Sequence, residues 1–251
     1  MGALAVCAGL VARHAGGAVS ITVLRLPLPA GHSPVERVIS TVGRVDLALV
    51  EALHAGRAVR PYACVPRGAT LDVVSCDDAL TRALLAGEPA ARLVTRLRPD
   101  DLIAPGCRGH QLRIAFVAPT AFRVAGLDHA LPDPLALWQS LRRRWEALGW
   151  PALPATPDLS RVAAAPEGLV WQAAAGPPGG PITGCVGVVR YTLLALAPEQ
   201  RAALWTLARF GEFRGAGRAT GYGLGRLRLL APGERWRPGD PATSAWERRS
   251  D

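Results

Sequence analysis

Hydrophobic and polar positions recur along this chain in a pattern that predicts strands and helices in a repeated order. Branched residues crowd Ile21-Thr-Val-Leu-Arg-Leu-Pro27, which reads as a strand. In Ser33-Pro34-Val35-Glu36, Ser at the N-cap, Pro at the first helical position and Glu three residues after Ser form a capping box. The helix opened there carries Val35, Val38, Ile39, Val42, Val45, Leu49 and Leu53 on one face. Gly43 weakens its middle, His54 falls in its last turn, and Gly56 is placed to supply a left-handed stop. Two strands are predicted around 61–66 and 70–75, split by Pro66-Arg-Gly68. A short helix runs from Asp77 to about Leu85, and an extended stretch over 92–98 precedes a Pro/Gly-marked break at 99–109.

The second half repeats the order. Leu112–Ala118 is a strand, and Pro134–Leu148 is an amphipathic helix with Leu137, Trp138, Leu141, Trp145 and Leu148 facing inward. Residues 149–182 read as a long loop with a strand near 168–173. Gly184–Leu196 is a strand, Pro198–Phe210 a helix stopped by Gly211, and Gly221–Leu230 the last strand. The order β-α-β-β-α-β is ferredoxin-like. The expected fold class is therefore α+β, with two tandem ferredoxin-like (RRM-like) domains over residues 1–108 and 109–251. The tail after Pro232 reads as poorly ordered, with Trp236 and Trp246 as the residues able to dock it.

Composition narrows the class. An apolar fraction of 49% with 20% charged residues excludes wholesale disorder, and 27 Gly with 22 Pro leave room for few long helices. The net charge is +9, and every basic side chain is Arg. Its planar fork binds phosphate bidentately and stacks on bases, so nucleic acid or another polyanion is the expected partner, against an inert basic surface. Cysteines at 7, 64, 76, 107 and 185 are odd in number and form no CxxC, which argues for reduced thiols over a disulfide framework or zinc ribbon. The apolar opening lacks a positive leader, Arg13 and His14 follow soon after, and no run reaches membrane-span length. A cytoplasmic protein with no membrane contact, no metal and no cofactor is expected. His14, His32, His110 and His129 show no partner pattern.

One segment concentrates charge and glycine. Residues 201–228 hold six Arg against one acid, Glu212, and five of the eleven residues 215–225 are glycine. Exposed amides there can form an anion-binding nest, and Arg214, Arg218, Arg226 and Arg228 surround them. The segment is no P-loop, since it lacks G-K-[ST] and leads into a strand. The competing reading is a flexible turn. The run Arg142-Arg-Arg144 is read as tracking an RNA stem or, equally, as a solvated helix face.

A basic glycine loop between the last helix and last strand of tandem ferredoxin-like domains resembles the CRISPR repeat-processing endoribonucleases, the Cas six (Cas6) family. Gly221-Tyr222-Gly223 matches the end of that family's loop, whereas Gly215-Ala-Gly217 leaves a spacer of three where about five is usual. Ala118-Pro-Thr-Ala-Phe-Arg123 is similar to the family's S-P-T-x-F-R stretch, and Pro132-Asp-Pro134 through Ser140–Trp145 to the helix after it. Asp46–His54 followed by Arg60-Pro-Tyr-Ala63 resembles its leucine-histidine helix end and next strand.

The resemblance implies metal-independent RNA cleavage by attack of a 2′-hydroxyl, giving a 2′,3′-cyclic phosphate and a 5′-hydroxyl. It implies His54 as acid or base and Arg60 as the cation beside the developing charge. Where family members carry a first-helix tyrosine this chain has Ile39 and Ser40, so that role is vacant or filled from elsewhere, with Tyr62 as a candidate. A helix-end histidine is also favoured by the macrodipole alone. The expected RNA-binding residues are Arg214, Gly215, Gly217, Arg218, Gly221, Tyr222, Gly223, Arg142 and Arg143. The expected partners are CRISPR repeat RNA or crRNA and other Cas effector subunits. The alternatives are a non-catalytic crRNA-binding subunit and a ferredoxin-like assembly or ligand-binding protein without nucleic acid.

Overall fold

The computed structural model of the chain describes residues 20–55, 59–103, 109–176, 180–241 and 243–248. Cys7, His14, Gly56 and Cys107 lie outside them. The first unit runs β1 (Ile21–Pro27), α1 (Pro34–Gly43), α2 (Leu47–His54), β2 (Tyr62–Arg67), β3 (Thr70–Ser75), α3 (Asp78–Gly87) and β4 (Arg92–Leu97). The second runs β5 (Gln111–Thr120), the hairpin β6 (Phe122–Val124) and β7 (Leu127–His129), α4 (Pro134–Ala147), β8 (Ala163–Ala174), β9 (Ile182–Thr192), α5 (Pro198–Arg214) and β10 (Leu227–Leu229). The sheets have the orders β2-β3-β1-β4 and β10-β5-β9-β8, all antiparallel where neighbours pair. In each, the first strand of the unit sits inside beside the third, which is the ferredoxin-like arrangement twice over.

Alternation along β1 explains how one sheet serves two cores. Leu24 and Leu26 pack with Val38 and Val42 of α1 and Leu80 and Leu84 of α3. Ile21 and Val23 instead join a core that continues into the second unit through Leu112, Phe116, Leu207 and Phe210. Odd positions thus face one core and even positions the other, as the two-residue period of a strand requires. The β1–β4 register shifts beside Val23 and Leu24, with Val94 of β4 as the extra residue. Both sides of the first sheet are thereby covered, and the two units share apolar contact.

Several sequence expectations change. The single helix over 34–54 is two: α1 ends at Gly43, and α2 restarts under an Asp46 cap whose side chain accepts from Leu49 N. Val45, expected on the buried face, is exposed at the break. α5 passes through Gly211 and ends at Gly215. A β-carbon at 211 would sit 2.8 Å from Leu227 Cδ1 and 3.2 Å from Leu141 Cδ2, so that glycine permits close packing of α4, α5 and β10. The strand expected near 168–173 spans twelve residues, and the last strand only three. The tail docks, with Trp236 and Trp246 buried. Among the described residues no helix is long and apolar enough to cross a membrane.

Candidate nucleic-acid interface at the unit junction

The glycine segment lies where the two units meet. α5 delivers Arg214 and then Gly215 with φ +66, where an ordinary side chain is disfavoured. The chain next forms a tight turn: Ala216 N donates to Gly225 O at 2.8 Å, Arg218 N to Ala121 O at 2.7 Å, Gly225 N to Pro119 O at 3.0 Å, and Gly217 N to Ser140 Oγ at 3.1 Å. Gly217 has φ +71, and a β-carbon there would run into the Ala121 carbonyl. A one-turn 3₁₀ helix over Thr220–Tyr222 then carries Gly221 and Gly223 onto the edge strand β2. A β-carbon at 221 would lie 3.3 Å from Tyr62 Cε2 and 3.4 Å from Arg60 Nη1, and one at 223 would lie 2.7 Å from Pro66 Cδ. The segment is a locked connector: the amides of 215–218 and 222–225 donate to protein acceptors, so it is neither the flexible turn nor the nest of exposed amides expected from the sequence.

Arg60 and Tyr222 meet across this contact. The Arg60 guanidinium lies 5.8 Å from the Tyr222 ring centroid and 5.9 Å from that of Tyr62, and Nη1 donates to Tyr62 Oη at 3.2 Å. Such stacking leaves a planar cation partly solvated and fixed in direction. Tyr62 is fully buried, and burial pushes its hydroxyl up to about 12, so it is neutral near pH 7. Its contact with Arg60 supports that side chain from below. Ile39 is half-buried, whereas Ser40 is exposed and donates to the Arg37 carbonyl.

His54 closes α2 and is exposed, with Nδ1 3.0 Å from Val50 O. A carbonyl only accepts, so Nδ1 carries the proton there and Nε2 is the nitrogen left for exchange. His54 and Tyr222 line one cavity of about 700 Å³, together with Val35, Glu36 and Ile39 of α1. Tyr222 also lines a second cavity, of about 780 Å³, whose lining includes Arg60, Arg123, Arg143, Arg144 and Arg218 and no carboxylate. The imidazole, the loop tyrosine and five guanidiniums are thus placed around two cavities with one shared wall.

The arginines expected from sequence divide by burial. Arg218 lines the second cavity and pairs with Asp128 of the β6–β7 hairpin. Arg143 is exposed there, its Nε bonded to Gln139 O at 3.3 Å. Arg142 does not line it and faces Glu146 one turn on, at 3.5 Å. Arg214, expected to touch phosphate, is fully buried: Nη2 donates to Arg60 O at 2.5 Å, while Nε and Nη1 have no hydrogen-bond partner among the described residues. Burial removes it from the phosphate-contacting set and makes it a support for Arg60. Sequence reasoning placed Arg144 only in the run 142–144, read as tracking a stem or as a solvated helix face, and not among the expected RNA-binding residues. Arg144 reaches from α4 to Gly217 O and to Thr220 Oγ1, the latter at 3.1 Å, and spans the turn. Burial, then the neighbouring cations Arg214 and Arg143, push it down to about 9, still protonated near pH 7. Helical phase was the available signal, since 144 lies four residues after the buried Ser140 and three after the buried Leu141. Among the described residues no group of three or more His, Cys, Asp or Glu is placed to hold a metal.

Fold and site together define a tandem ferredoxin-like protein with an arginine-lined cleft at the junction of its units. Residues 114–227 match the family model of the CRISPR-associated endoribonuclease Cas6. Among solved structures, a Cas6 (TTHB231) product complex has a TM-score of 0.68 at 20% identity, covering 85% of this chain and 100% of the other. A Cas6 (TTHA0078) product complex has a TM-score of 0.65 at 23% identity, covering 84% and 100%. The Thermus thermophilus Cas6 (TTHB231) structure has a TM-score of 0.65 at 21% identity, covering 86% and 100%. At such identities the likeness is one of fold. A search of curated proteins gives no match.

Proposed function

We propose that this protein is a metal-independent endoribonuclease that cuts CRISPR precursor RNA within its repeats, binds the repeat as a stem-loop and keeps hold of its product. The observation that carries the reading is the shared cavity wall: Tyr222 of the glycine loop lies between His54 and the arginine-lined cavity. The family match of residues 114–227 and the product complexes among fold relatives support RNA as the substrate. In this reading residues 1–108 bring the chemistry and 109–251 the grip. His54 takes the proton of the attacking 2′-hydroxyl or gives one to the leaving 5′-oxygen, through Nε2. Arg60, held by Tyr62, Tyr222 and Arg214, faces the charge that develops on the phosphorane. Arg143, Arg144 and Arg218 neutralise phosphates flanking the cut, because folded RNA is held by charge and shape. Tyr222 offers a ring face for an unpaired base.

The test is incubation of repeat RNA with excess EDTA. A cut at one position, with cyclic-phosphate and 5′-hydroxyl ends, is expected, and His54→Ala should slow it roughly 10²–10⁴-fold. Tight retention of repeat RNA by the wild type without any cut would overturn the catalytic half. It would leave a crRNA-holding subunit of a larger Cas assembly. One observation favours that second reading: among the described residues, the hydrogen bond of the His54 ring goes to its own helix.

A further inference from the structure

The C-terminal segment 243–248 reaches both units. Trp246 is buried and donates from Nε1 to Asp72 Oδ2 at 3.0 Å, onto the first sheet. Asp72 is itself fully buried and accepts from Arg25 Nε at 2.7 Å and Arg67 Nε at 2.6 Å. Arg67, at the end of β2, continues back to the segment: Nη2 donates to Ser244 Oγ at 2.5 Å and Nη1 pairs with Glu247 at 2.6 Å. On its other side the Trp246 ring packs on Phe213 at 5.7 Å between centroids, and Arg248 pairs with Glu212. Phe213 and Glu212 belong to the last turn of α5, and the next residue is Arg214, whose guanidinium holds the Arg60 carbonyl. The Arg67 guanidinium of β2 also lies 6.0 Å from the Trp246 ring centroid, so one indole sits between the strand that leads out of Arg60 and the helix that leads into the glycine loop.

We propose that Trp246 is a positioning residue for the cleft: wedged between Asp72 and Phe213, it fixes the spacing of β2 and α5 and thereby sets Arg60 against Tyr222. The catalytic consequence rests on the endoribonuclease reading; the structural consequence does not. The indole acts through its two ends. The Asp72 bond places it against the first sheet, where that carboxylate is already oriented by two guanidiniums. Ring packing transmits the position to α5, since packed aromatic pairs hold preferred offsets. Nothing in this chain of contacts requires Trp246 to touch RNA.

The experiment uses the full-length chain with Trp246→Ala and Trp246→Phe, read by hydrogen exchange and by single-turnover cleavage at saturating repeat RNA. Trp246→Ala is expected to lose exchange protection at residues 59–67 and 213–225 while β1, β3, β5 and β9 keep theirs. Its cleavage rate should fall by more than tenfold with RNA affinity changed less than threefold, a split that general destabilisation does not produce. Trp246→Phe, which keeps a ring against Phe213 and loses the Asp72 bond, should lie between. Equal deprotection of both sheets, or protection unchanged in Trp246→Ala, overturns the proposal. If the wild type proves not to cut RNA, the endoribonuclease reading fails and the exchange pattern alone decides the role of Trp246.

Discussion

The two units place different chemistry at the same point of one topology. Between the last helix and last strand of the first unit, the connection after α3 is residues 88–91; in the second, the connection after α5 is residues 215–226. The short one carries Glu88, which accepts from Ala90 N at 3.1 Å and pairs with Arg37 and, at 3.7 Å, with Arg44. It ties its own unit together. The long one holds five glycines and two arginines and packs on the partner unit's edge strand. A ferredoxin-like frame is indifferent to which is installed, so the reading of function rests on the connection and its contacts, not on the frame.

Glycine substitution tests that division most severely. A β-carbon at Gly87 would run into Thr41 O, and one at Gly217 into Ala121 O with φ already positive. Gly87→Ala and Gly217→Ala should each cost stability, roughly 1–3 kcal/mol. Only Gly217→Ala should also lose RNA binding below its melting transition, as read by chemical denaturation beside an RNA titration. Equal RNA affinity in the two variants would break the comparison. Next comes the helix-borne arginine pair. Arg144→Ala removes two charge-assisted bonds across the loop turn, each worth roughly 1.5–3 kcal/mol, and should weaken repeat-RNA binding tenfold or more. Arg142→Ala removes one surface pair worth about 0.3–0.5 kcal/mol and should leave binding within about twofold. Filter binding of both variants at one salt concentration decides it.

The smallest effect belongs to the short connection. The Ala90 amide, followed by the Arg37 and Arg44 cations, holds the Glu88 carboxyl below its ordinary range. A carboxyl lowered by folding stabilises above its unfolded pKa, and that contribution disappears as pH falls through the folded value. Glu88→Gln should therefore be less stable than wild type near pH 7, and the gap should close below about pH 4, near the ordinary carboxylate value. Melting curves across that range measure it, with RNA binding unaffected at neutral pH.

Sequence periodicity made the frame legible, because strands and helices declare themselves over six or more residues. The capping box at Ser33 appears as read, with Ser33 Oγ accepting from Glu36 N and Ser33 N donating to Glu36. What escaped were features set by neighbours distant in sequence. Gly211 looks like a stop from its own surroundings and is a packing site because of Leu141 and Leu227. Arg214 reads as a surface cation in a basic run and is buried because the first unit closes over it. The hairpin 122–129 has strands of three residues, too short for alternation to show. Trp246 was visible as a residue able to dock, but its partner Asp72 lies 174 positions away.

The main-chain bonds that lock residues 215–225 form within the protein, before any polyanion arrives. The entropy of ordering that stretch is therefore charged to folding and subtracted from nothing at association, which is the meaning of preorganisation. A cleft of this kind should capture its ligand in a single kinetic phase, at a rate governed by diffusion and long-range attraction with no slow rearrangement after encounter.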